Sequence, residues 1–272
     1  MEFYTELETI LKIQIPQEKC AAFKSFYKEY QEDGLEFNHE HSAEVFTQPS
    51  YTGFCTLVSP TVVLKRKKLA SKRGKIVFLH AIAHIEYSAI DLAIDAAYRF
   101  KNLPKAYYDD FLSIAHDEVR HFEMLEELLK ELDSFYGDLP VHDALFEAST
   151  RTLELTERMA VVPRYLEANG LDVTPMMIEK FLQLEDDTFA SKIIKTLELI
   201  LEEECDHVHK GDVWFKHACD LEGLAYESYF EIIEKYYPGS FPRKKDLNIK
   251  ARQDAGFSCS ELKRMNTSIE CK

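Results

Sequence analysis

Two Glu-x-x-His pairs, one at residues 118–121 and one at 204–207, carry side chains that can ligate metal ions. In a helix, residues three apart lie one turn apart on the same face, so each glutamate and its histidine point to one place. A single glutamate precedes each pair. Carboxylates bridge and neutralise two cations, and imidazoles add borderline-soft nitrogens, a mixture that suits iron or manganese better than tetrahedral zinc. The predicted ligands are Glu86, Glu118, His121, Glu167, Glu204 and His207.

The first pair requires two long helices that face each other. From Lys75 to Lys101 apolar residues recur at three- and four-residue steps, and Glu86 falls inside this stripe, where a lone buried charge is costly. A second helix is predicted from about Lys105 to Leu132, with Glu118 and His121 on its apolar face. The short connection predicts an antiparallel hairpin.

The second pair requires a similar hairpin. A third helix is predicted from about Asp143 to Asn169, ending at Gly170 and restarting at Thr174-Pro175 to about Leu184. A fourth is predicted from about Ser191 to His217. Four helices with two Glu-x-x-His pairs and two further glutamates are the arrangement of ferritin-like di-iron and di-manganese proteins.

We therefore predict an all-α, ferritin-like four-helix bundle over residues 75–217. Residues 1–74 are expected to form an N-terminal extension packed on the bundle, with a helix at about Gln17 to Glu32. Residues 218–272 are expected to form a C-terminal helix and a loose tail.

The helix-three ligand has two candidates, Glu157 and Glu167. The turn of the second hairpin is predicted at the polar residues 185–187, which makes Glu167 level with Glu204. Glu157 lies ten residues further from that turn, about 15 Å at 1.5 Å per helical residue. This favours Glu167, although Pro163 and Gly170 interrupt the helix pattern around it.

Ligating histidines usually donate their second N–H to a nearby acceptor. Asp117 and Glu203, each directly before a ligand glutamate, are candidates for that acceptor, with solvated surface acids as the alternative. His80 and His84 lie one turn apart near Glu86. His84 is a candidate neighbour of the site, and hydrogen-bonded core histidines are the alternative.

Composition limits the partners. The formal net charge of −15 argues against broad nucleic-acid binding, because phosphate contacts need clustered Lys and Arg. Seven cations lie between Lys65 and Lys75, and they are candidates for contact with an acidic partner or RNA. The alternative is that they form a solvent-exposed segment leading into the first long helix. A homo-oligomer is compatible with the sequence.

The sequence shows neither a secretory signal at its start nor an apolar run of membrane-spanning length, so we expect a cytoplasmic protein without a membrane partner. The six cysteines form no Cys-x-x-Cys pair and are expected to be reduced thiols.

Four segments between about Gly74 and Phe215 resemble the ferritin-like proteins grouped as domain of unknown function 455: HAIAHIEYSAIDLA, DEVRHF, VVPRYLEANGLDVTP and LEEECDHVHKG. The resemblance implies a ferritin-like fold with a dinuclear centre, and no particular reaction. More distantly, Asp117–His121 resembles the matching segment of bacterial di-iron monooxygenases, ribonucleotide reductase small subunits and tRNA hydroxylases. Leu125 stands where the radical-bearing subunits carry a tyrosine, which argues against a stable tyrosyl radical.

The ligand set predicts two iron ions, with manganese or a mixed Mn/Fe pair as alternatives. The leading hypothesis is an oxidoreductase that activates dioxygen or peroxide to oxidise a small molecule or a modified nucleoside, with an electron donor that the sequence does not identify. Two alternatives stay open: an iron-handling or peroxide-scavenging protein, and an adaptor bundle with a vestigial site.

Overall fold

The computed structural model describes residues 2–184, 187–242 and 247–270. Within these ranges the regular structure is helical, and the only β-type pairings are isolated bridges that join Glu2 to Glu36 and Leu57 to Val141. The all-α class is therefore confirmed. The chain forms two compact units, Met1–Thr150 and Arg151–Lys272.

The first unit is built around a two-helix hairpin. Its helices are α1 (Phe3–Lys12), α2 (Pro16–Gln31), α3 (Lys72–Arg99), α4 (Lys105–Glu131) and, at its end, α5 (Ala144–Arg151), with a 3₁₀ turn at Ser50–Gly53. Helices α3 and α4 form the predicted hairpin, while α1 packs on α3 and α2 packs on α4. The helix α1 was not predicted.

The helix α3 begins at a side-chain cap, where the Ser71 hydroxyl accepts the N–H of Gly74 at 3.0 Å. Its predicted apolar stripe, with Leu79, Ala83 and Ile90 among its members, is fully buried. The helix is long and apolar enough to cross a membrane by length and composition alone, but 78% of the relevant window is buried inside the protein, as in a core helix. The same burial encloses Glu86.

The second unit is a set of helices packed around one long helix. Its elements are α6 (Leu155–Val161), a π-helical turn (Val162–Glu167), α7 (Ala168–Leu182), α8 (Thr188–Glu222), α9 (Ser228–Tyr236), α10 (Ile249–Asp254) and α11 (Cys259–Met265). Helices α6 and α7 and the π-helical turn all pack on α8. The predicted continuous third helix is therefore wrong. It is interrupted before α6, where the buried Arg158 side chain donates to the carbonyl and hydroxyl oxygens of Thr152.

The predicted break at Gly170 is also wrong, because α7 runs through Gly170 and Pro175. A proline inside a helix leaves the carbonyl four residues earlier without its N–H donor. Here that carbonyl belongs to Leu171, and the Asn248 side-chain amide donates to it at 3.2 Å. A side chain distant in sequence thus supplies the hydrogen bond that the proline removes.

The predicted turn before α8 lies partly outside the described residues, at 185 and 186. The following residue, Asp187, caps α8 by accepting the backbone N–H groups of Phe189 and Ala190. This cap explains why α8 starts three residues before the predicted Ser191.

The expectation of a loose C-terminus is wrong for residues 247–270. Leu262 and Met265 of α11 are fully buried, and Ser258 and Glu261 form a capping box at its start.

The prediction that the cysteines are reduced thiols needs one correction. Four cysteines are free thiols, but Cys259 is disulfide-bonded.

Candidate metal centre

In the first unit, three of the predicted ligands lie together in the core. Glu86 comes from α3, and Glu118 and His121 come from successive turns of α4. Glu86 is 4% exposed and the other two are fully buried. Their ligand atoms all lie within 4.8 Å of one another. The hairpin therefore brings two carboxylates and one imidazole to a single enclosed point.

The imidazole of His121 is held between both carboxylates. Its Nδ1–H donates to Oε2 of Glu86 at 3.1 Å, and Oε2 of Glu118 lies 3.5 Å from the same nitrogen. Burial lowers the pKa of His121, but the hydrogen bonds and charges of Glu118 and Glu86 outweigh it and raise the pKa to about 11. In the absence of a metal ion, the imidazole is therefore the cation of this cluster.

These three groups fit a metal cation. A divalent cation held by the two carboxylates would balance their charge, and the imidazole would release its proton to become a ligand. Oxygen and imidazole nitrogen donors together suit iron and manganese.

In the second unit, α8 carries the other Glu-x-x-His pair. His207 is fully buried, whereas the side chain of Glu204 is 13% exposed. The two approach with Oε1 of Glu204 lying 3.7 Å from Nδ1 of His207. As predicted from the helical spacing, both side chains project from the same side of α8.

The remaining predicted ligand, Glu167, is the last residue of the π-helical turn. Such wide turns are rare and frequently occur at functional sites. This one is packed against α8 at Gly211, where a Cβ atom would lie 2.2 Å from Cβ of Pro163. Only glycine allows this approach, so the position of the turn on α8 depends on it.

A buried ion network holds the same turn. The Arg164 guanidinium, fully buried, pairs with Asp212 of α8 at 2.9 Å and with Glu261 of α11 at 2.7 Å. It also lies 4.5–4.7 Å from the ring centroids of Phe215, Tyr229 and Phe257. Sequence reasoning missed this network, and its one available signal was an arginine directly after Pro163.

The competing candidate on α6, Glu157, has other partners. One of its carboxylate oxygens pairs with Lys235 at 2.5 Å, and the other accepts the hydroxyl of Tyr236 at 2.6 Å. Its side chain is 21% exposed. Glu157 thus ties α6 to α9 near the surface.

The predicted supporting residues differ in their surroundings. Asp117 accepts from the Arg120 guanidinium at 2.8 Å on the same helix, and its side chain is 25% exposed. Glu203 is half-buried on α8.

Both histidines near the start of α3 are hydrogen-bonded core residues. The Nε2–H of His84 donates to the carbonyl of His142 at 2.7 Å, so its Nδ1 accepts the Tyr136 hydroxyl at 2.9 Å. The Nε2 atom of His80 accepts the N–H groups of Gly137 at 2.9 Å and of Leu139 at 3.3 Å. Burial lowers the pKa of each imidazole to about 4, so both are neutral and anchor the loop after α4.

Comparison with known proteins gives the family. The family model described as Protein of unknown function (DUF455) matches residues 12–263. A relative from Haemophilus influenzae, described as an uncharacterized protein, is 38% identical over 273 residues, covering 96% of this chain and 92% of the relative. No solved structure matches the chain. The chain therefore belongs to the family described as Protein of unknown function (DUF455).

Proposed function

We propose that this protein is a ferritin-like metalloprotein that holds two transition-metal ions and acts as an oxidoreductase. The observation that carries the proposal is the buried cluster of Glu86, Glu118 and His121 on the α3–α4 hairpin. The repeated Glu-x-x-His pair, Glu204 and His207 on α8, supplies a matching half of the ligand set in this proposal. The ferritin-like arrangement of the four helices is part of the same proposal.

A purely structural role for the cluster would not explain why charged groups are buried there. Glutamate and histidine are rarely enclosed without a purpose, since replacing a buried ion pair by apolar residues is often neutral or stabilising. Two carboxylates and one imidazole at one buried point are instead a set of ligands that iron and manganese bind. An apolar core at this position would fold with a smaller desolvation penalty, which favours a functional reason for the buried glutamates and histidine.

The cluster is enclosed, which fits redox chemistry that excludes bulk water: Glu86 is 4% exposed, and Glu118 and His121 are fully buried. Two iron ions held there, or manganese in their place, would supply electrons to dioxygen or peroxide. In this proposal the carboxylates hold the cations and balance their charge, while the burial of the cluster limits solvent access.

Oxygen consumption by the iron-loaded protein tests the proposed reaction class. Protein loaded anaerobically with ferrous iron is expected to consume oxygen on mixing, and Glu118→Gln is expected to lose both the iron and the consumption. Glu157→Gln is the matched control, since that carboxylate is engaged by Lys235 and Tyr236. Oxygen uptake by Glu118→Gln at the wild-type rate would contradict the proposal.

The outcome also separates the alternatives. Accumulation of many iron ions per chain as a mineral would indicate iron handling, and the absence of both iron binding and oxygen uptake would indicate an adaptor. Metal content measured in parallel for Glu167→Gln and Glu157→Gln decides which of the two glutamates is the fourth carboxylate ligand. We expect Glu167→Gln to lose metal and Glu157→Gln to keep it. The opposite result would identify Glu157 as the ligand.

A further inference from the structure

The first unit carries a segment whose charge is opposite to that of the protein as a whole. The chain has 48 acidic residues, yet no Asp or Glu occurs between Glu44 and Glu86. Within this segment lies a set of exposed cations, here called the basic strip: Lys65, Arg66, Lys67, Lys68, Lys72 and Arg73.

Most of the basic strip is available to a ligand. Among the described residues the strip makes one ion pair, between Lys72 and Asp133 at 2.7 Å on the surface. Solvent-exposed pairs of this kind contribute little and are readily exchanged. In the part of the chain that the structure describes, the other five cations of the basic strip form no ion pair, so the strip presents a concentrated positive surface.

The loop that carries the strip is fixed at both ends. At its start, Val58 donates to the carbonyl of Val141 at 2.8 Å. At its end, the backbone N–H and the hydroxyl of Ser71 both donate to the carbonyl of Lys68, at 2.9 and 2.8 Å. The same carbonyl packs on Gly74, where a Cβ atom would lie 2.0 Å away. These contacts reduce the entropy that a ligand must remove when it binds.

A cavity of about 420 Å³ opens beside the strip. Lys65 and Arg66 contribute to its lining, and its apolar wall includes Val77, Ala81 and Ile85 of α3. Ile85 is 40% exposed although it lies on a core helix. The lining contains no acidic residue. A cavity with one apolar wall at the side of a row of cations suits a ligand with a flat apolar part attached to a negative charge.

Three histidines line the cavity together with the cations. The Nδ1 atom of His142 accepts the N–H of Ala144 at 3.3 Å, which fixes this ring on the loop after α4. The rings of His80 and His84 also line the cavity, but the nitrogens described above are occupied by the protein, so they contribute shape and not charge.

We propose that the basic strip and this cavity bind single-stranded nucleic acid, with phosphates along the strip and a base in the cavity. Six cations exceed what a single anionic small molecule needs, and they continue past the cavity toward the start of α3. A flat apolar unit attached to each charge is the chemistry of a nucleotide chain, and unstacked bases bind in pockets of this kind. An acidic peptide lacks that unit, and a membrane surface does not enter a concave cavity.

Fluorescence anisotropy with a labelled 12-nucleotide RNA tests the proposal on the full-length protein. Lys65→Gln combined with Arg66→Gln is expected to weaken binding at least tenfold and to lower the slope of log affinity against log salt by about 1.4, since each single-strand phosphate contact contributes about 0.7. Lys250→Gln combined with Lys263→Gln, which removes the same charge from exposed positions on α10 and α11, is the matched control and is expected to keep the wild-type slope.

Ala81→Leu separates base binding from charge attraction, because it fills the cavity and leaves every charge in place. We expect it to weaken RNA about tenfold and to leave an abasic oligonucleotide backbone unaffected. Circular dichroism and melting curves would show that each variant is folded. Three results would overturn the proposal: no RNA binding by the wild-type protein, equal binding of polyglutamate without sensitivity to Ala81→Leu, or binding only to vesicles rich in phosphatidylglycerol.

Discussion

The metal-free protein offers a sharp test of the buried cluster, because Glu118 and His121 contribute opposite charges to it. Glu118→Gln preserves the shape of the side chain but removes one of two carboxylates, leaving Glu86 paired with an imidazolium. His121→Gln removes the cation and leaves two buried carboxylates without it. If the cluster is a charged site whose surplus is negative, the two substitutions must have opposite effects on the apo protein.

The size of the difference follows from the geometry. Glu86 lies 3.1 Å and Glu118 lies 3.5 Å from Nδ1 of His121, and together they overcome burial to raise the pKa of the imidazole to about 11. At about 1.4 kcal/mol for each tenfold change, that rise corresponds to a coupling of several kcal/mol. Loss of the cation from a buried cluster is expected to cost about 3–5 kcal/mol. Loss of the surplus carboxylate is expected to be neutral or slightly stabilising.

Chemical denaturation of protein treated with a chelator and then dialysed measures both effects. Apo Glu118→Gln is expected to unfold at or above the wild-type denaturant midpoint, and apo His121→Gln well below it. Added metal should stabilise the wild type by about 3 kcal/mol at a hundredfold excess over Kd, and neither variant should show this gain. An equal large loss for both variants, with and without metal, would show that these side chains act by packing and would refute the reasoning.

Two further predictions concern buried groups of the first unit. Burial lowers the pKa of both His80 and His84 to about 4, so as the pH falls from 6.5 to 4 each takes up a proton in the unfolded chain but not in the folded one. Each should lower the stability of the wild type by about 3 kcal/mol over that interval. In denaturation curves at several pH values His80→Gln should remove about half of this loss, with the exposed His209→Gln as the control variant. Lys19 is fully buried and pairs with Asp91, so Asp91→Asn should lower the free energy of unfolding by about 3–5 kcal/mol, because it leaves the ammonium without its counter-ion. Lys12→Met breaks an exposed pair and should cost less than about 1 kcal/mol. Similar losses for the two variants in denaturation curves would contradict a stabilising role for the buried pair.

The parts of the fold that local sequence determines could be predicted. The apolar period of α3 and α4, with Pro104 between them, indicated both helices to within three residues at each end. The same period showed that Glu86, Glu118 and His121 face the core. Periodicity reports which side of a helix is buried, so it also identifies a charged residue that is out of place there.

The parts that depend on distant residues could not be predicted. The helix α7 continues through Pro175 because Asn248 satisfies the carbonyl that the proline leaves without a donor, and no local pattern records that contact. The π-helical turn that carries Glu167 depends on the absence of a Cβ atom at Gly211, more than forty residues later. Long-range packing of this kind overrides the local preferences on which sequence reasoning rests.

Metal stoichiometry tests the central claim most directly. The protein would be purified without added metal, loaded anaerobically with ferrous iron and freed of unbound metal. Its metal content per chain would then be measured by elemental mass spectrometry. The ligand set of four carboxylates and two imidazoles predicts about two ions per chain. The variant Glu118→Gln should fall well below one, and Glu157→Gln should keep the wild-type value. Less than about half an ion per wild-type chain would contradict a dinuclear centre, since that ligand set should hold two.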